Sequence, residues 1–291
     1  MLLGRAAPLG LLFASAAAAP VPRRLEELPA ETCQFVSTPT VKDIGQGFRS
    51  FQWTEPYAAS LFADGLWADD DAYEEYTAWL NKTIPRDFGG LDPFDQRACL
   101  KHQRAIFKSV GYSTHDWDVI LNGTVGGLYQ MNCVESLLWN RQNKYHPQKV
   151  SATEFGAYIL VDNANTTVKV YLQTGPTLGV PGMDWVDELI KRDLLNGFAV
   201  RTFLHLHPFD ASNIKYQDCA GTCVPSAPDL KAFAYDLSRF QAQEAWITNG
   251  ADSLRFPLTE LHLFNGEAAA LGQQAPRPEI YRGGGATGLQ S

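Results

Sequence analysis

The stretch from Thr202 to Asp229 limits the fold more than any other part of the chain. It reads TFLHLHPF, then a polar insert holding Cys219 and Cys223, then PSAPDL. In a strand, residues two apart point to the same face. His205 and His207 therefore aim side by side, while Leu204 and Leu206 turn the other way into a core. Pro208 ends the strand because it has no N–H for the ladder. Two imidazoles converging from one strand face make half of a tetrahedral zinc site. Asp229, at the start of a helix, can supply a third ligand and leave the fourth position to water, with Ser226 beside it.

The chain around this stretch divides by its periodicity. From Cys33 to about Tyr145 it reads as mostly helical with long loops. Asp71 to Ile84 carries Tyr73, Tyr76, Trp79 and Leu80 close to helical spacing, with Pro85 as its stop. Asp95 to Val110 repeats the pattern, its basic residues forming a solvated face. QGFRSFQWTEPY and LNGTVGGLYQ read as loops rich in glycine and aromatic residues. Cys133 to Asn143 is a further helix, with Val134, Leu137 and Leu138 as its buried stripe.

From Glu154 the period changes. FGAYILVDN is a strand, Asn163-Ala164-Asn165 a turn, and Val168 to Leu172 pairs back as a hairpin. Trp185 to Leu195 is helical, closed by Asn196-Gly197, and the strand Phe198 to Leu206 follows. Asp229 to Gln241 is amphipathic, with Leu230, Phe233, Ala234, Leu237 and Phe240 on one face. Ser226 stands near its N-cap and Pro228 in its first turn. Ala245 to Thr248 and Ser253 to Phe256 flank Asn249-Gly250, a strong hairpin signal. The expected class is α/β (α+β). A mixed sheet flanked by helices spans 133–264, after a mainly helical region at 33–132.

Composition narrows the setting. With 291 residues, 45% hydrophobic and 19% charged, a packed core is expected. A net charge of -8 argues against nucleic acid as the main partner, whose footprint is basic. Arg5, the apolar run Ala6 to Ala19 and the small residues at its end read as a secretory signal over 1–19. The plainer reading is a disordered Ala-rich terminus. A flexible or pro segment, 20–32, contains Arg23-Arg24. No run reaches the roughly 20 apolar residues of a membrane span. The Ala/Gly/Gln/Pro-rich end, 265–291, reads as a disordered tail. Nothing in the sequence signals an oligomeric state.

Export changes how the five cysteines are read. In an oxidising compartment most would pair, leaving one over. Cys219 and Cys223 are close enough to staple the insert, and two of Cys33, Cys99 and Cys133 can join the N-terminal part. Three sequons, at Asn81, Asn122 and Asn165, fit the same glycoprotein setting.

Taken in order, Glu154, His205, His207, Ser226 and Asp229 form a pattern. It resembles the JAB/MPN domain of the JAMM-type zinc metallopeptidases: an upstream glutamate, then His-x-His-Pro, then Ser-x-x-Asp. His205-Leu206-His207-Pro208 and Ser226-Ala227-Pro228-Asp229 match residue for residue. Pro225, Leu230 and the glutamate opening an apolar strand also look like the family. The resemblance covers about Cys133 to Phe256. It implies a cytidine-deaminase-like fold, Zn²⁺ on His205, His207 and Asp229, Glu154 as general base and Ser226 as oxyanion donor. The implied reaction is hydrolysis of an amide or isopeptide bond in a peptide or protein.

The chain also departs from that family. Leu206 stands where the family has Ser or Thr, and the Pro208–Ser226 gap is longer than usual. Family members that cut ubiquitin linkages work inside cells, so that substrate does not transfer to an exported chain.

The same residues have plainer readings. The histidines can be a hydrogen-bonded pair at a strand end, Ser226 a simple N-cap, Asp229 a first-turn acid and Glu154 a solvated carboxylate. Glu135 is a weaker alternative acid. The cysteines do not fit the zinc-deaminase pattern, which needs Pro-Cys-x-x-Cys and His-x-Glu. The main expectation is a secreted zinc metallohydrolase. The alternative is a secreted binding or effector protein that keeps the fold without turnover.

Overall fold

The computed structural model describes residues 33–68, 71–87, 90–109, 111–179, 182–209 and 221–266, without the side chains of 85–87. The expected signal and pro segments, Cys219 and all but the first two residues of the expected tail lie outside them.

The architecture is mixed α/β. Eight strands form one sheet: β1 (Thr40–Gly45), β2 (Phe48–Pro56), β3 (Gly127–Gln130), β4 (Phe155–Asp162), β5 (Thr167–Thr174), β6 (Phe198–Leu206), β7 (Glu244–Thr248) and β8 (Asp252–Pro257). Their order is β1-β2-β5-β4-β6-β7-β8-β3. Every pairing is antiparallel except β6 with β7. The helices are α1 (Asp71–Asp87), α2 (Gln96–Ser109), α3 (His115–Leu121), α4 (Cys133–Tyr145), α5 (Asp184–Leu195) and α6 (Ala227–Phe240). The sheet takes β1, β2 and β3 from the part of the chain before Cys133.

Helices cover both faces. Leu204 and Leu206 of β6 pack with Ile159, Leu172, Trp246, Tyr76 of α1 and Trp139 of α4. Phe203 of β6 packs on the other side with Tyr158, Ile247, Ile190 of α5 and Phe233 of α6. β4 is buried on both faces, which is why it reads as an unbroken apolar run rather than an alternation.

The hairpin β4–β5, helix α5, strand β6, helix α6 and hairpin β7–β8 all form as the sequence predicts. Gly197, at φ +83°, follows the end of α5. The N-terminal half differs. QGFRSFQWTEPY, read as a loop, supplies β2 and the turn into it, and LNGTVGGLYQ supplies β3. β1 is an edge strand whose residues are nearly all exposed, so it carries no apolar alternation to read. Pro85 does not stop α1, which runs on to Asp87.

A disulfide and two buried carboxylates tie the parts together. Cys33 and Cys133 form a disulfide with Cα atoms 5.4 Å apart. The buried Glu55 carboxylate accepts from the backbone N–H groups of Val36 and Ser37 at 2.8 and 3.0 Å. Glu135 is fully buried and structural. It accepts from the Asn132 N–H (2.8 Å), Ser253 Oγ (2.5 Å) and Arg255 (2.6 Å), so it is not a free acid for catalysis.

One buried acid on α6 makes stability depend on pH. Asp236 Oδ1 accepts from the Tyr158 hydroxyl at 2.7 Å, while Oδ2 has no partner among the described residues. Burial, helped by Asp187 and opposed by the Tyr158 bond, pushes Asp236 up to about 7. Between about pH 4 and 7 the native state keeps a proton that the unfolded chain has lost, so stability falls as pH rises through this window. Each unit is worth about 1.4 kcal/mol. Asp236→Asn removes the titration but buries an amide with no partner for its N–H. The variant should therefore be about 2 kcal/mol more stable than wild type at pH 8, and the gain should turn into a loss of about 2 kcal/mol near pH 4, where only the amide cost remains. Urea unfolding at the two pH values measures this; a gain independent of pH would refute it.

Candidate metal centre

β6 and α6 deliver the three donor side chains. β6 ends at Leu206, just before His207-Pro208, and α6 returns the chain so that β7 can lie parallel to β6. β6 has an antiparallel neighbour on one side and a parallel one on the other. The carboxyl end of a strand at such a switch in an open α/β sheet is a favoured ligand position. The His207 N–H donates to Thr248 O at 2.8 Å, fixing the strand end on β7.

The donors meet there. His205 Nε2 lies 2.9 Å from His207 Nε2. Asp229 places Oδ1 3.3 Å from His205 Nε2 and Oδ2 3.3 Å from His207 Nε2. Zinc bound tetrahedrally at about 2.0–2.1 Å sets its ligand atoms roughly 3.3 Å apart; here the nitrogens are closer, at 2.9 Å, and the two 3.3 Å spacings run to different oxygens of Asp229. His205 is nearly sealed, with a side chain 5% exposed, while His207 and Asp229 are 14% and 17% exposed. All three side chains are largely buried.

Neighbours orient each donor. His207 Nδ1 lies 2.9 Å from Thr222 O, an arrangement that makes Nδ1 the N–H donor and leaves Nε2 to face the cluster. Asp229 is the third residue of α6, and its Oδ2 accepts from the Ser226 N–H at 2.6 Å. Ser226 Oγ in return accepts from the Asp229 N–H, completing a capping box. The imidazole of His205 packs on Phe233, with ring centroids 5.7 Å apart. Its Nδ1 is buried without a partner among the described residues.

Glu154 comes from the neighbouring strand. β4 pairs with β6 so that Gly156 stands opposite His205. Carrying that register two residues on puts Glu154 beside His207, on the same face by strand alternation. Its backbone N–H donates to Thr177 O at 2.9 Å.

Electrostatics bind the four residues into one unit. Burial raises the Glu154 carboxyl above the usual carboxylate range, partly offset by His207, His205 and the Gly179 N–H. Burial would also raise Asp229, but the two imidazoles outweigh it and hold the group well below its ordinary value. Burial acts to lower His207, yet Asp229, Glu154 and the Thr222 carbonyl win and lift it to about 9. The two acids thus favour the protonated form of His207 in the metal-free protein.

The structure therefore gathers Glu154, His205, His207, Ser226 and Asp229 at one end of the sheet. Cys219, one half of the expected Cys219–Cys223 staple, lies outside the described residues. Cys223 is a free, fully buried thiol that faces Asp252 O of β8, and Cys99 is also free. The sequon asparagines Asn81, Asn122 and Asn165 are all exposed. Thr222 was not legible as part of the site, because any residue carries a carbonyl. Among the described residues no helix is long and apolar enough to cross a membrane. Comparison of the chain with protein-family models, curated proteins and solved structures finds no match.

Proposed function

We propose that the chain is an exported zinc hydrolase of the JAB/MPN type that cleaves an amide bond in a peptide or protein. The observation that carries this reading is the convergence of His205 Nε2, His207 Nε2 and the Asp229 carboxylate at 2.9–3.3 Å, with Glu154 beside them. Two imidazoles and one carboxylate are a donor set typical of catalytic zinc, which keeps one position for water or substrate. When bound, zinc supplies a Lewis acid and brings the pKa of its water toward neutrality.

The chain's own groups supply the rest. Glu154, its carboxyl raised by burial, is suited to take a proton from the attacking water and pass it to the leaving nitrogen. Ser226 Oγ accepts from Asp229 N–H and keeps its own hydrogen to donate to the oxyanion on the attacked carbonyl. Asp229 is held in register by the capping box, and Thr222 holds the His207 tautomer.

Glu154→Gln tests the assignment. General acid–base catalysis contributes about 10²–10⁴-fold. Cleavage of a mixed library of unstructured peptides, read by mass spectrometry, should fall at least about a hundredfold while bound zinc stays at the wild-type level. Equal cleavage by the variant would remove Glu154 from the mechanism. A zinc-loaded wild type that cleaves nothing would leave the binding or effector reading.

A further inference from the structure

Between Pro208 and Ser226 the chain returns to the metal centre as Gly221-Thr222-Cys223, and this tripeptide is clamped from two directions. Gln96, in the first turn of α2, is 3% exposed. Its Oε1 accepts from the Cys223 N–H at 3.1 Å, and its Nε2 reaches Gly221 O at 3.5 Å. Asn249, in the β7–β8 turn, donates from Nδ2 to the same Gly221 oxygen at 2.7 Å. Gly221 has φ +63°, and a Cβ there would lie 2.5 Å from the Phe209 ring, so the backbone has little room to shift. The residue held between the two grips is Thr222, whose carbonyl faces His207 Nδ1 at 2.9 Å.

We infer that Gln96 is a positioning residue of the metal centre, acting through the Gly221–Cys223 backbone on the tautomer and aim of His207. This rests on the proposal that His205, His207 and Asp229 hold a metal. A glutamine side chain bonds both ends of a tripeptide, and the oxygen between them sets which His207 nitrogen keeps its proton. Helix α2, far from His207 in sequence, thereby gains a role in the site. Gln96 has the reach and both polarities this needs: leucine has neither, and glutamate keeps only the acceptor.

Removing an outer partner of a metal-bound histidine costs about 10–100-fold in metal affinity. Gln96 stands one step further out, so Gln96→Leu should weaken Zn²⁺ binding about tenfold, with Gln96→Glu between it and wild type. Zn²⁺ affinity is measured by chelator competition, and the visible spectrum of the Co²⁺-loaded protein reports ligand geometry. A positioning role shifts both. A merely structural role lowers the melting temperature of the metal-free protein and leaves both unchanged, which would overturn the inference. If Gln96→Leu does not fold, Gln96→Glu decides by the same two readings. Wild type that binds no Zn²⁺, or binds it equally after Asp229→Ala, contradicts the metal centre itself rather than Gln96.

Discussion

Replacing His207 with alanine is expected to weaken zinc binding by well over a hundredfold. Loss of an outer partner of a ligand already costs about 10–100-fold, and this change removes the ligand itself. Three protein donors meet at the site, and His207 is one of its two nitrogens. The variant leaves Thr222 O without its imidazole partner and Asp229 with one imidazole, His205, in place of two. It also removes the imidazole that most offsets the effect of burial on Glu154. The protein should still fold, because His207 lies beyond the end of β6 and Leu204 and Leu206 remain in the core. Zinc in excess should raise the melting temperature of wild type, since a ligand at about 100 times its Kd adds roughly 2.7 kcal/mol. The same zinc should leave the melting temperature of His207→Ala unmoved. A variant stabilised by zinc as much as wild type would mean the ion binds elsewhere.

The second large effect is on stability. Cys33→Ala opens a disulfide that closes a loop with a sequence separation of 100 residues. Chain entropy assigns such a closure about 4–5 kcal/mol. For a domain of this size each kcal/mol moves the melting temperature by about 2–4 °C, so a loss of roughly 10 °C is expected. The bond joins the entry to the sheet, where Glu55 holds Val36 and Ser37, to the first residue of α4. Differential scanning calorimetry of Cys33→Ala against wild type measures the loss. Equal melting temperatures would show that Glu55 and the core already hold this segment without the bond.

What could be read from the sequence follows from which physical signals are local. β4, β6 and α6 announce themselves by apolar period, by the capping pair Ser226 and Asp229, and by turn residues such as Asn249-Gly250. The candidates Glu154, His205, His207, Ser226 and Asp229 could be picked out because strand alternation and a helix start fix where side chains point. The β4–β6 register then carries Glu154 to His207. β1 was not legible because an exposed edge strand needs no apolar face. α1 continues through Pro85, so a single breaker did not outweigh the rest of the helix. Glu135 looked like a spare acid, and only its contacts with Asn132, Ser253 and Arg255 reveal a buried anchor. Which two of Cys33, Cys99 and Cys133 pair depends on which thiols the fold brings together, and it is Cys33 with Cys133. Thr222 faces His207 through its carbonyl, and Gln96 bonds the backbone of Gly221 and Cys223, so neither contact leaves a mark in a sequence.

Zinc K-edge X-ray absorption on the purified chain tests the central claim most directly. The account predicts one zinc per chain, four-coordinate, with two imidazoles and oxygen at about 2.0–2.2 Å. A sulfur shell near 2.3 Å would move the ion to the cysteines. That result, or a chain that retains no stoichiometric zinc, would contradict a centre built on His205, His207 and Asp229.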